Sequence, residues 1–205
     1  MSAYRRPDVP SMVFLDASGT TIDYGNRWEG SPPDGTYSQA GNLERFAPLH
    51  LVADELIDYL LREYQVEAVE TVSASGERTV ELVPTNPDGA RLTLRYADFP
   101  GVEIGAGLRK RVMLPWCGCD ACDEPFEDCA DALETWALGT AAGKFVEMIE
   151  HEGPHKGKPS VGYRMEGAGS GWQVVEADDA FEADAARLRG LPDGRWQSWP
   201  LRAEG

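Results

Sequence analysis

Histidine is scarce in this chain: three occur among 205 residues. Acid–base chemistry near neutral pH therefore has few candidates, and no Ser/His/Asp or Cys/His order of a known hydrolase is present. Basic residues are also few, with 19 Lys and Arg against 35 Asp and Glu and a formal net charge of −16. A field of that sign repels a nucleic-acid backbone and argues against general nucleic-acid binding. It suits solubility, or an acidic face made for a basic protein partner. No apolar run approaches the ~18 residues of a bilayer span, so no membrane partner is expected. The opening "MSAYRRPDVPSM" carries two arginines without an apolar stretch behind them, unlike a signal peptide. The expected location is a reducing cytoplasm, where structural disulfides are uncommon. Cysteine is missing everywhere except between positions 117 and 129, where all four occur.

What remains is globular, with 42% apolar and 26% charged residues and enough length to bury a core. Residues 1–40 read as an extended, Pro/Gly-rich segment packed on the body, with one hairpin around "DASG". Residues 41–205 read as a single α+β domain with a cysteine knuckle at 117–129. In "NLERFAPLHLVADELIDYLLREYQ", Leu49, Val52, Ala53, Leu56, Ile57, Leu60 and Tyr64 recur at helical spacing, with Pro48 at the start. Five strand-like runs follow: "VEAVETV", "RTVELVP", "ARLTLRYADF", "GVEIGAG" and "LRKRVMLP". Turns such as "SASGE" and "TNPDG" are too short for crossovers, so the pairing is antiparallel. A second helix is expected over "CADALETWALGTAAGKFVEMIE", with Asp128 as its cap. A hairpin over "SVGYRMEGAGSGWQVVE", a short helix over "DDAFEADAARLRG" and a strand or extended strap at "GRWQSWPLRA" complete the chain. The fold class is α+β: a largely antiparallel sheet of five to seven strands against two long helices and one short helix.

The chemical character lies in "LPWCGCDACDEPFEDCAD", where the spacing is Cys117-x-Cys119-x2-Cys122-x6-Cys129. Four-cysteine zinc sites usually show two separated C-x2-C knuckles, whereas this chain has one compact knuckle and a fourth cysteine in the first turn of a helix. Helix N-terminal N–H groups and the positive dipole end favour a thiolate, the form a metal needs. Gly118 permits a tight turn between ligands, and Pro115 fixes the strand exit. The leading reading is a structural Zn²⁺ on Cys117, Cys119, Cys122 and Cys129. Three others stand beside it. His151 and His155 have acceptable ligand spacing, but a helix of that length puts them about 30 Å from its start. Free thiols or an adventitious disulfide form the second. The third is redox chemistry at Cys119-x-x-Cys122, which lacks a thioredoxin-like βαβ context and sits among acids expected to raise thiol pKa values.

The combination "IDYGNRW", "SPPDGTYS", "RFAPLH", "FPG" and "CGCDACDE" resembles a family of uncharacterised bacterial proteins, a domain of unknown function. That resemblance spans most of the chain and implies one unit without an assigned activity. Separately, "VFLDASGTTI" resembles the haloacid dehalogenase phosphatases, with Asp16 in the nucleophile position and Thr20 at the phosphate. Ser18 replaces the second aspartate of that motif, and parallel βα repeats are missing. "RKR" at 109–111 is the one basic run, suited to a phosphate, a partner carboxylate or the guarding of a sheet edge. "GAGSGW" fits a hairpin tip, and His50 with Asp54 fits a solvated helix face. The functional expectation is a metal-stabilised binding domain without an identifiable catalytic constellation. Its alternatives are an enzyme using Asp16 or an open cysteine–metal site, and an acidic inhibitor or immunity-type protein that binds a basic partner.

Overall fold

The computed structural model describes residues 3–203. After two short 3-10 turns, Asp34–Ser38 and Leu43–Phe46, the first α-helix is α1, Leu49–Glu63, entered through Pro48, whose fixed φ of −66° suits a helix start. The apolar stripe read from sequence is the buried one: Leu49, Val52, Ala53, Leu56, Ile57 and Leu60, joined by Tyr59. Tyr64 has left the helix for extended backbone and stacks edge-on against Trp199.

Five strands follow as a meander: β1 Val66–Val72, β2 Arg78–Pro84, β3 Leu92–Ala97, β4 Gly101–Ala106 and β5 Lys110–Leu114. Every neighbour is antiparallel and the sheet order equals the chain order. Registration makes the sheet one-sided. Val80, Leu94, Ile104 and Val112 are cross-strand partners in one buried row, and Tyr96, Val102 and Leu114 form a second. On the opposite face Arg95 pairs with Glu103 at 3.0 Å and with Glu77 at 2.7 Å. β1 buries only Val66 and presents Glu67 and Glu70 along an exposed edge, which discourages further strands from adding.

α2, Phe126–Ala141, packs against α1, β4 and β5, and buries Leu133, Trp136, Ala137, Thr140 and Ala141. It is shorter than its apolar pattern predicts. Gly143, at φ +72°, closes the helix, and "FVEMIE" becomes β6, Phe145–Glu150. β6 pairs with β7 Ser160–Met165, and β7 with β8 Gly169–Val174, in a separate antiparallel sheet. The expectation of one sheet of five to seven strands is therefore corrected to two sheets, of five and three strands. The helix begins two residues before the expected cap. Pro125 occupies the cap position, and Asp128 lies in the first turn.

α3, Asp179–Arg189, starts as read: the Asp178 carboxylate accepts the Phe181 N–H at 2.8 Å, and Gly190 follows the last turn. It packs on β6. The final stretch is a strap, bridged to Tyr64 through Leu201 and to Gly89 through Gln197. Among the described residues no helix is long and apolar enough to cross a membrane.

Candidate metal centre

β5 ends at a cis Leu114–Pro115 peptide, and the cysteine loop fills the space between that strand and α2. Gly118 takes φ +74°, a left-handed turn that a side chain resists, and its α-carbon sits against Phe99, where a Cβ would meet the ring at 2.9 Å. That turn reverses the chain between Cys117 and Cys119. The sulfurs of Cys117, Cys119 and Cys122 consequently lie within 4.8 Å of one another. Cys117 and Cys122 are exposed, Cys119 is half-buried, and none of the four cysteines is in a disulfide.

The thiol of Cys119 is drawn below its ordinary pKa by the Cys117 thiol and by the backbone N–H groups of Cys122 and Ala121, which favour a sulfur anion. The three groups cannot all ionise unaided, and the Cys122 thiol is pushed up to about 12 by Cys119 and Cys117. Such a trio shares one negative charge easily and three only with a cation between them.

Cys129 stands outside this 4.8 Å group. It is 1% exposed in the first turn of α2, and its thiol donates to Glu124 Oε1 at 3.2 Å. Burial, and then the Glu124 charge, raise its pKa. The same carboxylate accepts the Trp116 N–H at 3.0 Å, so Glu124 ties the residue before Cys117 to the helix that carries Cys129.

The other acids of the loop do something the sequence did not disclose. Asp120 and Asp123, both buried, hold the segment 25–41. Asp123 Oδ2 accepts the N–H groups of Gly25 at 3.0 Å and Arg27 at 2.8 Å, and Asp120 Oδ1 accepts that of Gly41 at 2.8 Å. Backbone bonds from Asp120 to Gln39 and from Ala121 to Thr36 complete the seam. Asp123→Ala removes the acceptor of two part-buried backbone donors, at a cost of about 1 kcal/mol. A urea melt should show that loss, together with faster tryptic cleavage after Arg27; unchanged cleavage would mean the segment is held elsewhere.

Two arginines underlie the seam. Arg45, 2% exposed, lies over the rings of Tyr24 at 4.2 Å and Phe46 at 4.1 Å, and its Nη1 donates to the Gly41 carbonyl at 2.6 Å. Arg27 reaches Asp120 at 3.7 Å and stacks on Trp28. Among the described residues, the buried side-chain polar atoms that make no hydrogen bond are Arg27 Nη1, which has only its longer ion pair with Asp120, Arg45 Nη2 and Asp123 Oδ1. All three belong to the shell of the cysteine loop, two of them on cations. A usable sign was present in "NRW" and "ERF", where each arginine is followed by an aromatic residue.

The remaining sequence candidates lie elsewhere. Asp16 is exposed at the tip of the expected hairpin, and its Oδ1 accepts Ser18 N, Ser18 Oγ and Thr20 N, so the carboxylate serves its own turn. Those bonds lower its pKa, the Ser18 hydroxyl most. His151 pairs with Glu182 at 2.8 Å and stacks on Phe181, which assigns it to α3. His50 Nε2 lies 3.0 Å from the Gly101 carbonyl, while Asp54 accepts Arg78 and the Tyr96 hydroxyl, so the two do not act as a pair. "GAGSGW" spans the β7–β8 turn as read.

No curated protein and no solved structure matches the chain. A family model does match, over residues 10–203, and its description is a family of unknown function, DUF6226. The chain belongs to that family.

Proposed function

We propose that the loop holds a zinc ion on Cys117, Cys119 and Cys122, and that the protein is a metal-stabilised domain acting by binding. The observation that carries this reading is the approach of three sulfurs to within 4.8 Å. A Zn–S bond of about 2.3 Å in a tetrahedron puts sulfurs about 3.8 Å apart. The trio therefore needs a contraction of at most about 1 Å. Soft thiolates favour zinc over magnesium or calcium. The buried Arg45 guanidinium, whose Nη2 has no hydrogen-bond partner and whose charge reaches Cys129, supports the same reading, because a tris-thiolate zinc carries a net negative charge that a nearby guanidinium offsets.

The fourth position distinguishes two forms. With Cys129 turned from Glu124 to the metal, the site is closed and structural. With Cys129 left where it is, that position opens onto a cavity of 290 Å³ lined by Trp116, Asp123 and Asp128, and takes a water or an outside donor. In either form the metal fixes the loop that holds the segment 25–41 against the body. Four unpaired cysteines suit a reducing cytoplasm, and the acidic surface suits a basic protein partner.

The test is elemental analysis of freshly purified protein, with thiols counted under denaturing conditions before and after chelation. About one zinc per chain is expected, with the loop thiols reacting only after chelation. Metal-free protein whose four cysteines titrate freely would overturn the reading.

A further inference from the structure

The three clustered sulfurs are also open to oxidants. Cys117 and Cys122 are exposed and line the 290 Å³ cavity, whereas Cys129 is 1% exposed and bonded to Glu124. An S–S bond is about 2.05 Å, so sulfurs within 4.8 Å of one another are at most about 3 Å from disulfide distance. Thiolates gathered on a metal are already in the ionised form that attacks a peroxide oxygen. The buried Cys129 is shielded from the same attack.

The same stretch carries the loop's bonds to the segment 25–41. Asp120 and Ala121 lie between Cys119 and Cys122, and Asp123 follows directly. Their N–H, carbonyl and carboxylate groups meet Gly25, Arg27, Trp28, Thr36, Gln39 and Gly41. The Trp28 indole, for example, donates to the Asp120 carbonyl at 3.1 Å. The N–H groups of Ala121 and Cys122 also face the Cys119 sulfur, which accepts them best as an anion. A metal on three sulfurs pins the loop at three points, the first of them before the Gly118 turn. A disulfide pins it at two, leaves Cys117 outside and neutralises the Cys119 sulfur. Chemistry at the sulfurs therefore acts on residues that themselves form the seam.

We propose that the cysteine loop is a peroxide-responsive latch, in which oxidation pairs Cys119 with Cys122, expels the metal and loosens the segment 25–41. The inference rests on the zinc reading and adds the regulation of that site. The exposed Cys122 thiolate attacks hydrogen peroxide, breaks the O–O bond, becomes a sulfenic acid and releases hydroxide. The Cys119 thiolate then attacks that sulfur, which forms the S–S bond and displaces a second hydroxide. Two electrons pass from the sulfurs to the peroxide, Zn²⁺ leaves with its charge unchanged, and Cys117 takes a proton from water. Cys119-x-x-Cys122 has the spacing of dithiol redox motifs, which Cys117-x-Cys119 lacks. A thiol reductant reverses the pairing.

The test titrates hydrogen peroxide into the zinc-loaded full chain. A colorimetric chelator follows released metal, and alkylation with peptide mass mapping follows the thiols. About one zinc per disulfide is expected, with Cys117 and Cys129 alkylated and Cys119 and Cys122 protected until dithiothreitol is added. Tryptic cleavage after Arg27 should accelerate about tenfold, the effect of one or two lost hydrogen bonds on local opening. Reduction in the presence of zinc should restore the starting rate. Protein purified without zinc would overturn the metal reading and the expulsion step with it, while the Cys119–Cys122 pairing and its effect at Arg27 are read on that protein directly. Three results would overturn the latch itself: zinc and all four thiols retained at ~1 mM peroxide; sulfinic acid formed without a disulfide; or a Cys119–Cys122 disulfide that leaves cleavage after Arg27 unchanged.

Discussion

On the proposed zinc site, Cys119→Ser is expected to release the metal. Zinc in structural sites is bound by about 10–16 kcal/mol, so one thiolate of three accounts for about 3–5 kcal/mol, or a loss in affinity of about 200-fold or more. Competition against a chelator of known affinity measures that directly. The partner variant Cys129→Ser separates the two forms of the site. It keeps one zinc per chain where the fourth position is open, and loses affinity on the scale of Cys119→Ser where Cys129 closes the tetrahedron. Both variants remain foldable on physical grounds. Cys119 sits in a loop, and serine at 129 retains a donor for Glu124, the present partner of that thiol. Equal metal affinity in wild type and Cys119→Ser would end the three-thiolate reading, whatever Cys129 does.

Trp199→Ala unfastens the C-terminal strap and destabilises the chain by about 3–5 kcal/mol, the usual cost of emptying a buried tryptophan site. Its ring is 2% exposed, lies edge-on to Tyr64, and rests on Gly89, where a Cβ would meet it at 3.0 Å. Its indole N–H donates to the Ala90 carbonyl at 2.9 Å, and its backbone N–H to the Ala141 carbonyl at 2.8 Å. The variant therefore leaves a cavity and an unpaired carbonyl at the junction of β3, α1 and the end of α2. Urea denaturation is the measurement, with an unchanged slope expected; a loss below about 1 kcal/mol would show that the strap is decoration.

The meander was legible because each strand is a short β-rich run closed by a turn too brief for anything but a hairpin. α1 was legible because its buried residues keep one helical period from Leu49 to Leu60. The end of α2 was not. Phe145, Met148 and Ile149 fit a helical stripe as well as Phe145, Glu147 and Ile149 fit a strand, and only a glutamate on the inward face satisfies the second pattern. Buried glutamate is rare enough that the polarity pattern pointed the wrong way. The three bonds that Glu147 accepts account for its tolerance there.

At the cysteine loop, spacing brought out Cys117, Cys119 and Cys122, since a C-x-C-x2-C run with one glycine can hardly keep its sulfurs apart. The position of Cys129 depended on which way a helix would present it. The roles of Asp120, Asp123, Arg27 and Arg45 were hidden for a different reason. Their partners are backbone groups and rings tens of residues away, and local spacing carries no trace of such pairs.

The order of strands also sets an order in time. In the five-stranded sheet each pairing joins chain neighbours, so that sheet can assemble as fast as it emerges from the ribosome, at ~5–20 residues per second. Its last side wall is supplied by Trp196 and Trp199, near the far end of the chain. For several seconds of every synthesis the nascent sheet and α1 therefore present apolar surface that nothing earlier than the strap covers. A message cut short before Trp196 yields a chain whose incompleteness is displayed on its surface, where chaperones and proteases detect it.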